Sequence, residues 1–224
     1  METIAGPARG RATPLPPDER RAAILLAVRP VLLERGAAVT SRELAEAAGV
    51  AEGTLFRVFT DKVTLVREAV LAAVDPADSV PELAAIDREL PLRERVAAVL
   101  AQGLARVGES MRWMGLLHEI SRLEPGPTAE HREAAMRMWG TRQQAGTAAV
   151  NATITWLLEP DADRLRLPLD EVIDLLTTVL MGATMRSVDA RRRGLDTPSP
   201  DPERLTDLVL HGVLTVGPEG NVRC

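Results

Sequence analysis

Apolar residues along this chain recur at helical spacing and nowhere alternate as a half-buried strand requires, so the pattern predicts an all-α fold. Between residues 18 and 34, Ile24, Val28, Val31 and Leu32 form one stripe, closed by Gly36, and Pro30 removes an interior hydrogen bond and predicts a bend. Thr40 with Glu43 three residues on is a capping box, and it opens a second helix that runs to about Ala48. Leu44, Ala45 and Ala48 share one face of that helix, and Gly49 supplies the left-handed conformation that ends it. Val50 plugs the turn. The next helix covers roughly residues 52–58 and turns Leu55, Val58 and Phe59 inward. Asp61 or Thr60 caps a fourth helix over 61–74, with Leu65, Val66, Ala69, Val70 and Ala73 on its apolar side, and Asp75-Pro76 stops it.

Beyond this, residues 75–90 read as a connector with a short helix after Pro81. Helices follow over 91–107, 110–123, 128–158, 169–193 and 201 to about 216. The stops are Glu124-Pro125-Gly126-Pro127, Glu159-Pro160 and Gly194, and Asp201 with Pro202 opens the last helix as N-cap and first residue. About nine helices result, with no repeat of 20 to 50 residues.

Two short helices, a tight turn and a third helix start within residues 40–62 are the grammar of a helix-turn-helix. On the outward side of the second of these helices Gly53 and Arg57 lie four apart, with Thr54 and Phe56 flanking them. A protruding guanidinium beside a residue with no side chain suits the major groove, where Arg pairs with guanine O6 and N7 for about 1–3 kcal/mol of discrimination. Glu52 either accepts from cytosine N4 or satisfies the helix dipole. Lys62, the only lysine against 26 arginines, sits in a first turn where the dipole favours an acid, and a phosphate oxygen is its expected mate.

The run AGVAEGTLFRVFTDKVTLV, preceded by RRAAILLAVRPVLLERGAAVTSRELAEA, resembles the DNA-binding segment of the tetracycline-repressor (TetR) family over residues 20–74. Three positions depart from that pattern: Ala51 replaces a serine N-cap, Phe56 replaces a tyrosine whose hydroxyl serves a phosphate, and Pro30 interrupts the first helix. The resemblance implies a mobile arm over 1–17, a three-helix reading head with a linking fourth helix over 18–74, a larger helical ligand-binding and dimerisation domain over 75–216, and a tail over 217–224. It implies DNA contacts from Thr40, Glu52, Gly53, Thr54, Phe56, Arg57 and Lys62. Arg9 and Arg11 either reach a minor groove or belong to a disordered tail. It also implies that the last two helices pair with their symmetry mates in a four-helix bundle, although the same apolar stripes would serve as plain core.

By the same resemblance the middle helices surround an effector. Met111, Trp113, Met114, Leu117 and His118 cluster on one helix, and Met136, Met138, Trp139, Gln143 and Gln144 on the next, with Trp156 beyond. Methionine and tryptophan make an adaptable apolar lining, and a few amides orient a ligand. The expected ligand-binding set is Met111, Trp113, Met114, Leu117, His118, Met138, Trp139, Gln143 and Trp156, each of which would serve equally as core. With Arg112, His118 and Glu119 the nearest ionisable groups, the pattern leans towards an apolar or cationic effector.

Composition narrows the class. A length of 224 residues with 46% hydrophobic residues supplies a proper core. No run of 18 apolar residues and no signal-type N-terminus is found, so the reading is a cytoplasmic protein with no membrane partner. The single cysteine, Cys224, excludes an internal disulfide. The net charge of −5 is unevenly divided: residues 1–74 hold 10 basic and 9 acidic side chains, and the remainder 17 and 23. The excess acid lies away from the motif, and phosphate contacts need only a few placed cations. His118, His131 and His211 are far apart with no metal spacing, so no metal, cofactor or catalytic set is expected. Arg191, Arg192 and Arg193 fit dipole compensation at a helix end. The expected function is a dimeric, one-component repressor that binds palindromic double-stranded DNA and is released by a small-molecule effector. The alternatives are a helical ligand- or protein-binding module that has lost DNA reading, and an all-helical enzyme with a buried acid/base pair between residues 111 and 156.

Overall fold

Proline decides where the first helix breaks. In the computed structural model, which describes residues 16–123 and 129–213, α1 (Pro17–Ala27) and α2 (Arg29–Arg35) meet at Val28. Pro30 falls in the first turn of α2, where a missing N–H costs no ladder bond, so the expected bend becomes a restart. Ile24, Val28 and Leu32 are buried across the junction, so the apolar stripe survives the break. Gly36 then takes φ 60°, and a 3-10 turn (Gly36–Ala38) leads to α3 (Ser41–Ala47).

The capping box at Thr40 forms in both directions. The Thr40 hydroxyl accepts from the Glu43 N–H at 3.2 Å, and the Glu43 carboxylate accepts from the Thr40 N–H at 2.8 Å and from its hydroxyl at 2.9 Å. Gly49, at φ 65°, ends the turn after α3 and releases the chain into α4 (Glu52–Val58). Asp61 accepts from the Thr64 N–H at 2.7 Å and so caps α5 (Lys62–Ala73).

The chain divides into two compact units at Ala69 and Val70, a boundary that falls inside α5. The first unit is held by Val39, Leu44, Ala45, Leu55, Phe59, Val63, Leu65 and Val66, all buried together with the α1–α2 stripe. Its smallness explains the Arg21 contacts described below, because a core of this size gains from every polar group it can tie down.

The second unit contains a 3-10 turn (Pro76–Ser79), α6 (Val80–Ala84), α7 (Leu92–Leu123), α8 (Ala129–Leu158), a second 3-10 stretch (Glu159–Arg164), α9 (Leu169–Arg192) and α10 (Pro202–Val213). One expectation is corrected here: the helices placed at 91–107 and 110–123 are a single helix. Gly108 falls in the expected gap, but a lone helical glycine costs only about 1 kcal/mol against alanine, and no proline reinforces it. Counting the broken first helix once, the described residues hold nine α-helices and no β-strand, an all-α fold. The core of this unit gathers Leu92, Val96 and Leu100 of α7, Leu157 and Leu158 of α8, Val172, Ile173 and Leu176 of α9, and Val209 and Leu210 of α10.

Buried charge closes one end of this core. Arg95 donates to the carbonyls of Leu90 and Leu157 and to the Asp161 carboxylate, and Asp161 also accepts from Arg164 at 2.5 Å. Satisfying donors and carboxylate together is what makes such a buried pair tolerable. Gly194, at φ 68°, closes α9 as expected, and Asp201 accepts from the Glu203 N–H at 3.1 Å to open α10. No helix among the described residues is long and apolar enough to cross a membrane. The expectations for Arg9, Arg11 and the rest of the arm, for the 124–127 stop, for the His131 side chain, for residues 214–216 and for the tail with Cys224 lie outside the described residues.

Candidate functional site

In the first unit α4 presents a small outward face. Leu55 and Phe59 anchor it from below, both essentially inaccessible, and Val58 is half-buried. Glu52, Gly53, Phe56 and Arg57 are exposed, and Thr54 is half-buried. A Cβ built on Gly53 meets nothing within 4 Å, so the glycine leaves open space beside Arg57 rather than filling an internal need. Ala51 has the extended backbone of an N-cap, φ −70° and ψ 148°, but no side chain to accept an N–H.

Two basic residues frame this face differently. Thr40 is exposed, with its hydroxyl already committed to the capping box. Lys62 is half-buried and donates from Nζ to the Val39 carbonyl at 3.2 Å, tying the start of α5 to the residue before Thr40. Arg21, three residues before Ile24 and seven before Val28 and so on the buried side of α1, braces α4: its guanidinium donates to the Val58 carbonyl at 2.6 Å and stacks 4.4 Å from the Phe59 ring centroid. Its spacing to Ile24 and Val28 marks its face, but nothing local in the sequence names its partners, which lie far along the chain.

The second unit encloses a cavity of about 760 Å³ walled by α6, α7, α8 and α9 together with the turn after α5. Five of the nine expected ligand residues line it: Met111, Met114, His118, Trp139 and Gln143. The other four do not. Trp113 faces the core, 1% exposed, and donates to Glu109 Oε1 at 3.3 Å; Leu117 is half-buried off the cavity; Met138 points outward at 77% exposure; Trp156 lies under the Arg88 guanidinium at 5.0 Å. Helical phase explains the split. Met111, Met114 and His118 are spaced 3 and 4 apart on α7, whereas Trp113 belongs to the stripe of Leu116 and Ile120, both buried. On α8, Trp139, Gln143, Thr147 and Val150 share the facing stripe, and Met138 and Trp156 fall off it.

The lining also takes residues that lay outside the expected stretch of 111–156, among them Gln102 and Arg106 on α7 and Leu180, Met181, Met185 and Arg192 on α9. The signal was present as methionines four apart on α9, but the apolar stripe of that helix was assigned entirely to core or interface. Two lining side chains carry a polar atom that is shut off from solvent and has no partner: the Trp139 indole N–H and Gln102 Oε1.

One wall of the cavity is a polar clamp on the segment that follows α5. Gln143 donates to the Val74 carbonyl at 3.0 Å, Arg106 to the Asp75 carbonyl at 2.6 Å, and Arg142 to the buried Asp75 carboxylate, whose other oxygen accepts from the Ala77 N–H at 3.0 Å. Val74, Pro76, Arg106 and Gln143 line the cavity themselves. Among the described residues no group of His, Cys, Asp and Glu is arranged to hold a metal ion.

Residues 24–69 match the family model of bacterial regulatory proteins of the tetR family, the interval that holds the last turn of α1, all of α2 to α4 and most of α5. No curated protein matches the chain. Solved structures share the fold at low identity. A TetR-family regulator from Mesorhizobium loti superposes with TM-score 0.59 at 14% identity, over 90% of this chain and all of that one. Native NalD, a repressor of the MexAB-OprM efflux pump in Pseudomonas aeruginosa, gives TM-score 0.50 at 23% identity, over 89% of this chain and 98% of that one. The superantigen PfiT gives TM-score 0.52 at 21% identity over 91% and 100%, so the fold by itself does not specify a function. The helix-turn-helix segment is thus similar in sequence to bacterial regulatory proteins of the tetR family, and the chain as a whole shares the fold of solved structures that include members of that family.

Proposed function

We propose that the protein is a homodimeric transcriptional repressor of the cytoplasm that binds a palindromic operator through α4 and leaves it when a small molecule occupies the second-unit cavity. The observation that carries the reading is the outward pairing of Gly53 and Arg57 on a helix fastened by Leu55 and Phe59. A single seven-residue helix reads few bases, and a twofold pair spaced one helical turn apart, about 34–36 Å, doubles the site. The dimer reading is supported by the exposed Leu208 on α10 and by the small residues Gly182 and Ala183 on α9, none of which lines the cavity. The effector reading is supported by the cavity and by the clamp on residues 74–75, since α5 continues from those residues directly into the first unit. A ligand that displaces Gln143 or Arg106 would act on the end of that helix, with a coupling of about 1–3 kcal/mol typical of such linkage.

Selection from random duplex DNA, followed by binding to the selected and a scrambled site, tests the reading. Arg57→Ala should lose preference between the two sites, by about 1–3 kcal/mol, whereas Lys62→Ala should weaken both equally and reduce the salt slope by about 1. Equal losses on both sites from both variants would overturn the roles assigned here. The missing cap at Ala51 and the missing hydroxyl at Phe56 favour the second reading, a ligand-binding module without DNA recognition, and failure to select any sequence would establish it.

A further inference from the structure

The three long helices that wall the cavity have a fixed register. α8 runs opposite to α7: Arg95 donates to the Leu157 carbonyl, whereas farther along α7 Arg106 reaches Asp75, which lies against Gly146 of α8 together with Ala77. α9 runs in the same sense as α7, with Leu176 sharing the core with Leu100 and Leu180 lying against Gly103. Lining positions on α7 extend from Val99 to His118, which at about 1.5 Å per residue makes the cavity about 28 Å long.

Its two ends differ in chemistry. At the early end of α7, Gln102 donates to the Glu82 carbonyl at 3.2 Å; Glu82 is the only carboxylate among the described lining residues, and Gln102 Oε1 is an acceptor without a partner. At the late end stand Arg192, His118 and Trp139, whose indole N–H is a donor without a partner. Arginine and the indole can only donate. Arg106, midway, already bonds the Asp75 carbonyl and lies 3.7 Å from both Asp78 and Glu109, so its charge is matched within the wall. Of Arg112, His118 and Glu119, the ionisable groups behind the expectation of an apolar or cationic effector, only His118 lines the cavity.

We propose, resting on the effector-cavity reading above, that the effector is a long-chain monocarboxylate, its head at the Arg192–His118–Trp139 end and its hydrocarbon tail directed towards Leu83 and Ile154. The apolar walls between the ends accept a chain of any saturation, and the polarity of the ends fixes its direction. A cationic head would meet donors at the late end, and an anionic head at the early end would face Glu82 and an unpaired carbonyl oxygen.

Four probes on the full-length protein, each below its micelle concentration, test this: hexadecanoate, methyl hexadecanoate, hexadecyltrimethylammonium and the neutral dye Nile red. Hexadecanoate should bind about tenfold or more tighter than the ammonium, with the methyl ester, which keeps an acceptor and loses the charge, between them. Arg192→Gln and Trp139→Phe should each weaken hexadecanoate by about five- to tenfold and leave Nile red unchanged. Equal binding of carboxylate and ammonium, or indifference of hexadecanoate to both substitutions, overturns the headgroup assignment while Nile red still reports a working cavity. If neither the dye nor any amphiphile binds, the effector cavity itself falls, and this proposal with it.

Discussion

Arg21 and Glu68 join α1 to α5 through two parallel hydrogen bonds, Nε to Oε2 at 2.8 Å and Nη2 to Oε1 at 2.5 Å, while the third arm of the same guanidinium holds the last carbonyl of α4. One planar fork therefore fixes the angle at which the reading helix leaves its neighbours, and the Phe59 ring beneath it restrains the fork from swinging. Lysine has neither the plane nor the second donor in register.

Arg21→Lys is accordingly expected to behave much like Arg21→Ala. Both should destabilise the protein by about 1–2 kcal/mol, a modest figure because the pair is about one-third exposed. Both should weaken DNA binding without altering the salt slope, since Arg21 acts through protein contacts rather than a phosphate. Thermal melts and a salt series on the selected operator check this, and a reduced slope would mean that Arg21 touches DNA.

Ala51→Ser should stabilise the chain. The backbone at Ala51 already has N-cap geometry, so the new hydroxyl has only to accept an N–H from the first turn of α4. The gain is expected at about 1 kcal/mol, visible as a rise of a few degrees in the melting temperature. No rise would mean that those N–H groups have partners other than solvent.

The reading head was largely legible because its signals are local. A capping box, a left-handed glycine and an Asp cap each specify their own neighbourhood, and Thr40, Gly49 and Asp61 take the expected roles. What escaped is carried by long-range pairing or by helical phase. Arg21 finds its partners 37 and 47 residues away, a distance over which periodicity carries no information. In the body, the stretch containing Met111 and Trp139 was recognisable as rich in adaptable side chains. Which stripe of it faced a void depended on how α7, α8 and α9 pack. Trp113 and Met138 sit on the wrong stripes, and Arg192 lies on a helix whose apolar face had been given another task.

The capping box makes one prediction in pH. The Thr40 backbone N–H, then its hydroxyl, and more weakly Arg35, hold the Glu43 carboxylate below its ordinary value near 4.5. A carboxyl depressed in the folded state contributes stability that is fully present above the unfolded value and is lost as pH falls through the folded one. Glu43→Gln should therefore melt below the parent protein at pH 7, with the difference shrinking as pH drops below about 4.5. A chemical-shift titration of Glu43 beside melts at several pH values measures both halves, and a difference constant with pH would show that the amide caps as well as the carboxylate.

Two glycines offer a matched contrast in the second unit. A Cβ on Gly146 would lie 2.9 Å from the Ala77 backbone nitrogen, 2.9 Å from Asp75 Oδ1 and 3.1 Å from Pro76 Cδ. None of these can retreat easily, because Asp75 is buried and its oxygens are bonded to Ala77 and Arg142. A Cβ on Gly103 would meet Leu180 Cδ1 at 2.9 Å and Cδ2 at 3.0 Å, the far end of a side chain that can change rotamer. Gly146→Ala should therefore cost about 1–3 kcal/mol and open the clamp on residues 74–77. Gly103→Ala should lie near neutral, the helix propensity gain of about 1 kcal/mol offsetting the displaced leucine. Since Leu180 lines the cavity, that displacement should also narrow it and weaken Nile red binding, which Gly146→Ala has no steric reason to do at that position. Melting curves and dye titrations of the two variants separate the effects, and a Gly103→Ala protein less stable than Gly146→Ala would refute this account of how α8 meets the turn.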